Sequence, residues 1–273
     1  SAPFEGVIRV AIKKVEDGVF STWATETLKI GDDIQVMTPT GGFIANTKDE
    51  NAHHYVGIAA GSGITPVISI LKSVLFNEPK SSFTLFYGNK NVSSIIFKEE
   101  LEDLRSTYLG RLEIHNILSR EDQGMDYAYG RIDAEKVNYF AKNFIDVKDV
   151  HSFYICGPQE MTEISRDTLG GLGVDAGNIH FELFTAATPA KAKTEKKKAS
   201  KDSVKSAVTV ILDGDETHFD VATSGKNVLD AALDAGADVP FACKGAVCCT
   251  CRAKVMDGSA EMDMNYALTE EEV

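Results

Sequence analysis

Four cysteines crowd into one short stretch, and this restricts how the chain can fold more than any other feature. The stretch reads "PFACKGAVCCTCRAKV" over residues 240–255 and holds Cys243, Cys248, Cys249 and Cys251. The chain has one further cysteine, Cys156, far upstream. Disulfides need specific distances and orientations, and thiols this crowded cannot pair off usefully. We therefore expect a loop that wraps a single centre with several sulfur atoms.

Three of these cysteines have the spacing C-x4-C-x2-C, which is the plant-type [2Fe-2S] signature. Small residues at Gly245 and Ala246 let backbone N–H groups approach the inorganic sulfides of such a cluster. Zinc is the main competitor, but zinc sites normally use two separated cysteine pairs and often histidine, and no histidine lies nearby. A redox C-x-x-C motif would leave the first cysteine unexplained. The predicted metal ligands are Cys243, Cys248 and Cys251, and Cys249 is predicted to be a buried small side chain facing away from the iron.

Apolar strands alternate with amphipathic helices from residue 53 onward. "HHYVGIAA" runs into the helical "GSGITPVISILKSVLF", "SSFTLFYGN" precedes the helical "SIIFKEELEDLRSTY", and "RLEIHNIL" follows. "HSFYICGP", the helical "QEMTEISRDTLGGLG" and "IHFELF" complete the pattern. This alternation predicts a parallel sheet covered by helices on both faces.

A glycine loop, "AAGSGITP" at residues 59–66, follows the first of these strands and opens a helix. Gly61 and Gly63 would permit close backbone approach, with Thr65 as helix N-cap and Pro66 at the first helical position. The N–H groups and dipole of such a helix suit a pyrophosphate. The loop is not the Rossmann G-x-G-x-x-G motif, because Pro66 takes the place of the last glycine. Glycines alone would be a weak signal here.

Two further loops strengthen the prediction of a nucleotide site. "YGN" at residues 87–89 and "CGP" at residues 156–158 each end a predicted strand. All three loops should therefore gather at the carboxyl edge of the sheet, where such folds bind ligands. Taken alone, Arg120 in "LSRE" would be a solvated surface residue.

The remaining segments differ in composition. Residues 1–47 read as β-structure, with strands at "VIRVAIKKV", "GVFSTW" and "GDDIQVMTP". Residues 186–203 are rich in Lys, Ala and Ser and predict a solvated flexible linker. In the C-terminal module, "SAVTVIL" and "THFDVA" around a "DGDE" turn predict a β-hairpin, and "NVLDAALDAG" predicts a helix that ends at Gly236.

Bulk properties limit the partners. The net charge of -13 argues against nucleic acid, because phosphate would be repelled. No apolar run approaches the length that spans a bilayer, so no membrane partner is expected. Cysteine usage without a disulfide framework favours a reducing, cytoplasmic location.

With these motifs together, the chain resembles ferredoxin-NADP reductase-like flavoenzymes that carry a C-terminal plant-type ferredoxin domain. The cysteine loop is similar to that of the phenylacetyl-CoA epoxygenase reductase subunits. The resemblance implies a multidomain fold: an FAD-binding β-barrel over 1–47, an α/β NAD(P)-binding domain over 48–185, the linker, and an α+β, β-grasp [2Fe-2S] ferredoxin domain over 204–273. Members of this family have a fourth cluster ligand beyond the loop and an R-x-Y-S flavin motif before the "SAP" segment. The resemblance therefore predicts that both ends of the chain are truncated, with the first and last domains incomplete.

The same resemblance implies roles for individual residues. It places Cys156 beside the nicotinamide as a catalytic residue, and Gly18, Ser21 and Thr22 at the FAD pyrophosphate. The full set of implied cofactor-binding residues is Lys13, Gly18, Ser21, Thr22, Gly61, Gly63, Ile64, Thr65, Pro66, Gly88, Asn89, Ser119, Arg120, Gly157, Pro158 and Phe184. In relatives that use NADPH the matching Ser-Arg pair contacts the 2′-phosphate, for which an arginine fork is well suited. The resemblance therefore implies NADPH over NADH for Ser119 and Arg120, and Lys90 could add charge.

The implied function is electron transfer from NADPH through FAD and the [2Fe-2S] cluster to a partner oxygenase. A di-iron phenylacetyl-CoA epoxygenase is the partner that the resemblance implies. Two alternatives stay open: a reductase for a ring-hydroxylating or steroid hydroxylase system, and a ferredoxin-type carrier whose upstream region only docks partners. Three nucleotide loops at one sheet edge argue against the carrier.

Overall fold

The protein is described by a computed structural model that covers residues 1–36, 41–184, 205–222, 225–241, 244–246, 248–265, 268 and 272. The chain divides into two compact units, Ser1–Phe184 and Thr185–Val273. The predicted linker and the predicted ligand Cys243 lie outside the described residues. Within the described ranges, no helix is both long enough and apolar enough to cross a membrane.

The first unit is built on a five-stranded parallel sheet. Its strands are β1 (His54–Ala60), β2 (Ser82–Asn89), β3 (Leu112–Leu118), β4 (Val150–Gly157) and β5 (Ile179–Leu183), in the order β3-β2-β1-β4-β5. The chain moves outward from β1 in one direction and then returns to place β4 on its other side. The strand order therefore reverses between β1 and β4, which is where open parallel sheets bind ligands at their carboxyl edge.

Helices cover both faces of this sheet, as the alternating pattern predicted. They are α2 (Ile64–Asn77), α3 (Lys98–Thr107), α4 (Ala134–Asn143) and α5 (Gln159–Gly171). On one face, buried side chains of α2 such as Leu71 and Val74 pack with Phe83 and Leu85 of β2. On the other face, α4 and α5 contribute Phe140 and Leu169 to a cluster with Phe86 and Phe153. The sheet is buried on both sides, which explains its nearly continuous apolar strands.

The N-terminal segment differs from the prediction. Among residues 1–36 and 41–47 the structure has no strand, and "GVFSTW" is wrong as a strand because Val19–Glu26 forms helix α1. The Phe20 and Trp23 rings lie 5.7 Å apart, a contact that the three-residue spacing allows on a helix but not on a strand. A strand also needs a neighbouring strand to pair with, and residues 7–15 pair with no strand among the described residues.

The start of α2 differs as well. The turn Gly61–Gly63 is a 3-10 helix that leads directly into α2, so Gly63 is the N-cap. Thr65 and Pro66 therefore lie inside the first turn, two residues further along than predicted. The Thr65 hydroxyl donates to the Ser62 carbonyl at 3.0 Å and does not cap the helix. Proline is still tolerated there, because N–H groups of the first turn have no intrahelical partner.

In the second unit, the predicted hairpin and helix are confirmed. The hairpin pairs β6 (Lys205–Leu212) with β7 (Asp215–Ala222) in antiparallel register. Its two-residue turn has positive φ at Asp213 and Gly214, the geometry of the primed turns that match strand twist. The helix is α6 (Val228–Asp234), and Gly236 follows it with φ of 88°. Asn227 caps α6, because its side chain accepts a hydrogen bond from the Asp230 N–H.

Candidate functional site

The three predicted loops meet at the carboxyl edge of the sheet. Ala60 pairs with Gly88 across β1 and β2, and Ala59 pairs with Cys156 across β1 and β4. The glycine loop, the "YGN" end of β2 and the "CGP" end of β4 are therefore side by side. Parallel pairing alone brings them together, since every strand ends at the same edge.

The two glycines of the glycine loop, Gly61 and Gly63, have different structural roles. Gly61 has φ of +54°, a conformation that favours glycine, and nothing lies within 4 Å of where a side chain would stand. The Tyr87 hydroxyl donates to the Gly61 carbonyl at 3.0 Å. A Cβ on Gly63 would instead lie 2.0 Å from the Cys156 carbonyl oxygen, so this residue lets α2 pack closely on β4. Ile64 points into the core and is fully buried, so its contribution to the site is packing.

A buried amide at the end of β2 lacks a partner. Asn89 is only 9% exposed, and its Nδ2 finds no hydrogen-bond acceptor among the described residues. A buried donor without a partner costs free energy, so such a group points to a ligand. Asn89 ends β2 at the carboxyl edge of the sheet, beside the end of β1 from which the glycine loop leaves. An oxygen atom of a nucleotide bound at this edge would be a suitable acceptor for the amide.

Two cations stand next to each other beyond β2 and β3. The backbone N–H of Ser119 donates to the Asn89 carbonyl at 2.9 Å, and that of Arg120 donates to the Lys90 carbonyl at 2.8 Å. This extended pairing aligns the exposed residues Lys90 and Arg120 at the sheet edge. Neither side chain has an ion pair within the part of the chain that the structure describes. Two such cations suit a dianionic phosphate monoester.

A thiol and a carboxyl group are neighbours at the ends of β4 and β5. Cys156 pairs in register with Glu182, and the Cys156 side chain is fully buried in the core. Burial raises the pKa of the Cys156 thiol, and the charge of Glu182 adds to the shift, so the neutral thiol is favoured. Burial also raises the pKa of Glu182. Glu182 is absent from the site residues predicted from the sequence. The signal that could have identified it is that it is a single acidic residue inside the apolar strand "IHFELF".

A cavity of about 390 Å³ opens beside Glu182, within the first unit. One wall is formed by nucleotide-domain residues and the other by the N-terminal segment, so two parts of the chain meet around it. Phe184 lines this cavity and is 46% exposed. Its lining includes Thr65, Pro66, Glu182 and Phe184 on one side and Ser1, Arg9, Val10 and Ala11 on the other.

The N-terminus of α1 carries the residues that were assigned to a pyrophosphate. Gly18 is its N-cap, and a Cβ there would lie 2.6 Å from the Ser21 Oγ. The Ser21 hydroxyl accepts a hydrogen bond from the Val15 N–H at 3.1 Å, and its own hydrogen can be donated elsewhere. Thr22 lies in the same first turn, whereas Lys13 is exposed ahead of the loop. A helix N-terminus with hydroxyl donors is chemically suited to phosphate.

The cysteine loop of the second unit has an unusual backbone. Lys244, Ala246 and Cys249 all have positive φ, between 51° and 59°. Left-handed residues placed among right-handed or extended ones turn successive N–H groups toward one side, which makes an anion-binding concavity. The Cys248 thiol donates to the Thr250 hydroxyl at 3.2 Å, and Cys251 lies further along the loop. Two thiols of the signature, those of Cys248 and Cys251, are among the described residues, and their spacing fits a [2Fe-2S] cluster. The third, that of Cys243, lies outside the described residues.

Comparisons with known proteins agree with this arrangement. Residues 58–167 match the oxidoreductase NAD-binding domain family, and residues 210–273 match the 2Fe-2S iron-sulfur cluster binding domain family. The chain is 39% identical over 98% of its length to one component of the 1,2-phenylacetyl-CoA epoxidase of Escherichia coli (strain K12), covering 74% of that protein. It is 31% identical over its whole length to the ferredoxin reductase component of 3-ketosteroid-9-alpha-monooxygenase of Mycobacterium tuberculosis, covering 72% of that protein.

A solved structure shares the fold of the first unit. The CS-b5R domains of human Ncb5or superpose with a TM-score of 0.54 and 29% identity, over 62% of this chain and 47% of that one. The chain belongs to the family of oxygenase reductase components that join a ferredoxin-NADP reductase-like unit to a [2Fe-2S] ferredoxin domain. It is an oxidoreductase whose fold binds FAD and NAD(P)H in one part and a [2Fe-2S] cluster in the other, and its partner is an oxygenase. The upstream region thus belongs to a reductase and not to a carrier that only docks.

Proposed function

We propose that the protein passes electrons from NADPH through FAD and its [2Fe-2S] cluster to a di-iron oxygenase that acts on a CoA thioester such as phenylacetyl-CoA. The cofactors supply the redox chemistry, which is hydride transfer from NADPH to FAD and single-electron transfer onward to the cluster. The protein supplies binding and orientation. Support for the oxygenase comes from the similarity to the component of the Escherichia coli epoxidase. The thiol ligands must stay reduced to bind iron, which favours the cytoplasm.

The proposed residue roles are supported by the family resemblance and, for the described residues, by the geometry. Gly18, Ser21 and Thr22 hold the FAD pyrophosphate at the start of α1. Gly61 and the first turn of α2 hold the pyrophosphate of NADPH, and the Asn89 amide donates to the same nucleotide. The cavity beside Phe184 receives the flavin and nicotinamide rings. Glu182 lines this cavity, and the proposed catalytic residue Cys156 pairs in register with Glu182 on the neighbouring strand. The cluster ligands are Cys243, Cys248 and Cys251.

The observation that carries the choice of NADPH is the pairing of Lys90 with Arg120. Each side chain that binds the 2′-phosphate makes a charged hydrogen bond, which contributes about 1.5–3 kcal/mol. Arg120→Ala should therefore weaken the use of NADPH roughly ten- to hundredfold and leave the use of NADH unchanged. Steady-state kinetics with both nucleotides will measure this.

Lys80→Ala is the control for this test, since it removes one exposed positive charge from the opposite edge of the sheet, ahead of β2. It should leave the preference between the nucleotides unchanged. If Arg120→Ala affects both nucleotides equally, or if the parent protein prefers NADH, the 2′-phosphate assignment is wrong.

The oxygenase itself is tested by reconstitution. Purified candidate oxygenases are mixed with the reductase, and NADPH consumption is compared with product formed. Tight coupling with a phenylacetyl-CoA epoxidase supports the proposed partner. Coupling only with a steroid or ring-hydroxylating oxygenase would favour the alternative function, a reductase for that class of oxygenase. The 31% identity to the 3-ketosteroid-9-alpha-monooxygenase reductase component supports testing this alternative.

A further inference from the structure

Lys72 is a buried lysine that belongs to no sequence motif. Its side chain is 8% exposed, and its ammonium group donates to Glu5 at 2.8 Å and to Glu100 in a second, short contact. Lysine is almost never buried unless it is paired. The two carboxylates therefore compensate for the burial of the charge.

The two carboxylates belong to different parts of the first unit. Glu5 ends the 3-10 turn Pro3–Glu5 in the N-terminal segment, and Glu100 lies in the first turn of α3. Arg9 approaches Glu100 at 3.8 Å, but its side chain is 57% exposed, so this pair contributes little. Lys72 is therefore the main ionic link between residues 1–11 and the nucleotide-binding domain.

Neighbouring contacts place the N-terminal segment along one stripe of α2. The Ser69 hydroxyl donates to the Ser1 carbonyl at 2.7 Å, and the Phe76 ring stacks on Phe4 with centroids 3.9 Å apart. Residues 69, 72 and 76 follow the i, i+3, i+7 spacing of a single helix face. The Ala2 N–H also donates to the Glu5 carboxylate at 2.6 Å, which fixes that carboxylate toward Lys72.

This stripe also forms part of the cavity. Lys72 and Glu100 line it together with Ser1 and Arg9 of the N-terminal segment. The helix that carries Lys72 begins at the glycine loop, so one rigid element bears both the nucleotide loop and the contact to the opposite wall.

We propose that Lys72 is a positioning residue. By binding Glu5 and Glu100 at once, it holds residues 1–11, which form the flavin-side wall of the cavity, against α2. This contact sets the approach of the nicotinamide to the flavin. The proposal rests on the proposed function, which places the two rings in this cavity. Hydride transfer depends steeply on geometry, and a displacement of about 1 Å can cost about a hundredfold in rate.

Lys72→Met tests this in the holoenzyme, because methionine keeps an unbranched stem of similar length without the charge. Flavin reduction at saturating NADPH, followed by stopped-flow absorbance, should slow about ten- to hundredfold. The Kd for NADP⁺ should change less than about twofold, because Lys72 lies about two turns along α2 from the glycine loop and first turn that bind the pyrophosphate. Lys142→Met, an exposed lysine on α4, is the control and should leave the rate unchanged.

Two glutamines form a matched pair for the same test. Glu5→Gln and Glu100→Gln each remove one negative charge beside the same ammonium, but only Glu5 lies on the flavin-side segment. If Lys72 acts as a positioning residue, Glu5→Gln should slow hydride transfer more than Glu100→Gln. Equal slowing would mean that only the charge in the cavity matters, and this would overturn the proposal. If Lys72→Met does not fold, the comparison of Glu5→Gln with Glu100→Gln tests the positioning role instead.

Hydrogen exchange of the protein without nucleotide supplies a readout that does not depend on turnover. Amides of residues 1–11 should exchange faster in Glu5→Gln than in the parent, while those of α5 stay unchanged. Faster exchange with an unchanged rate at saturating NADPH would assign Lys72 to stability alone and overturn the positioning role. If the parent protein fails to reduce flavin with NADPH, the proposed function is wrong. The exchange experiment would still test whether the contact between Lys72 and Glu5 holds residues 1–11 in place.

Discussion

Gly63 shows how a single missing side chain sets the distance between α2 and the sheet. A Cβ at this position would lie 2.0 Å from the Cys156 carbonyl oxygen and 2.7 Å from the Gly157 nitrogen. Both atoms belong to the backbone of β4, so no side-chain rotation can relieve the contact. Gly63→Ala should lower the free energy of unfolding by about 1–3 kcal/mol, the usual cost of overpacking.

Urea unfolding compares this variant with Gly170→Ala on α5. A Cβ on Gly170 would meet nothing within 4 Å, so alanine should stabilise that helix by about 0.5–1 kcal/mol. Opposite signs for the two substitutions are expected. A stable Gly63→Ala protein would mean that α2 can move away from β4 at little cost.

Glu78 gives the first unit a pH dependence. Its carboxylate is completely buried, and it accepts hydrogen bonds from the Ser81 hydroxyl at 2.7 Å, the Asn51 amide at 2.6 Å and the Lys48 N–H at 3.1 Å. Desolvation raises its pKa, but these hydrogen bonds outweigh the burial, and the net pKa is lowered. Residues Lys48 and Asn51 are thereby fixed to the end of α2.

The sign of the pH effect follows from linkage. Because the pKa of Glu78 is lower in the folded state, its contribution to stability is complete above its unfolded pKa of about 4.3 and is lost as pH falls through the folded pKa. Glu78→Gln should lower the free energy of unfolding by about 1–3 kcal/mol at pH 7, and the loss should shrink in acid. Urea unfolding at pH 7 and pH 3.5 measures this, with the exposed Glu50→Gln as the control. An equal loss at both pH values would contradict the charged, hydrogen-bonded carboxylate.

At the scale of elements, the strands of the sheet were predictable because burial on both faces makes them apolar throughout, as in "FTLFYG" of β2. Helix α1 was mistaken for a strand because Val19, Phe20 and Thr22 favour strands locally. The spacing of Phe20 and Trp23 was the helical signal. The cavity was not predictable, since it depends on how residues 1–11 pack against α2, and no periodicity encodes that contact.

Helix α4 was also missed, although its start carries a capping signal. The Asp133 side chain accepts a hydrogen bond from the Lys136 N–H at 3.0 Å, and Val137 and Phe140 face the core three residues apart. Asp133→Ala should lower the free energy of unfolding by about 1 kcal/mol, whereas Asp133→Asn, which keeps a capping oxygen, should cost much less. Thermal unfolding of both variants measures the difference. If the asparagine variant loses as much as the alanine variant, the cap does not contribute as described.

At the scale of the whole molecule, the chain separates its two kinds of redox centre. The nucleotide site belongs to the unit Ser1–Phe184, and the cysteine loop belongs to the unit Thr185–Val273. Each unit has its own hydrogen-bonded sheet, of five strands in the first and two in the second. Damage to one centre should therefore leave the other intact.

Cys248→Ser tests that separation in the protein loaded with FAD and cluster. Serine replaces a soft thiolate with a poor ligand for iron, so the [2Fe-2S] absorbance and its paramagnetic signal after reduction should be lost or become labile. Flavin reduction by NADPH, followed by stopped-flow absorbance, should keep its rate, while electron delivery to the oxygenase stops. Cys249→Ser is the matched control, because that residue lies outside the C-x4-C-x2-C spacing and should retain the cluster. If a folded Cys248→Ser protein no longer reduces its flavin, the two centres depend on each other, and the order NADPH, FAD, cluster is wrong. Loss of the cluster in Cys249→Ser would instead make Cys249 a ligand.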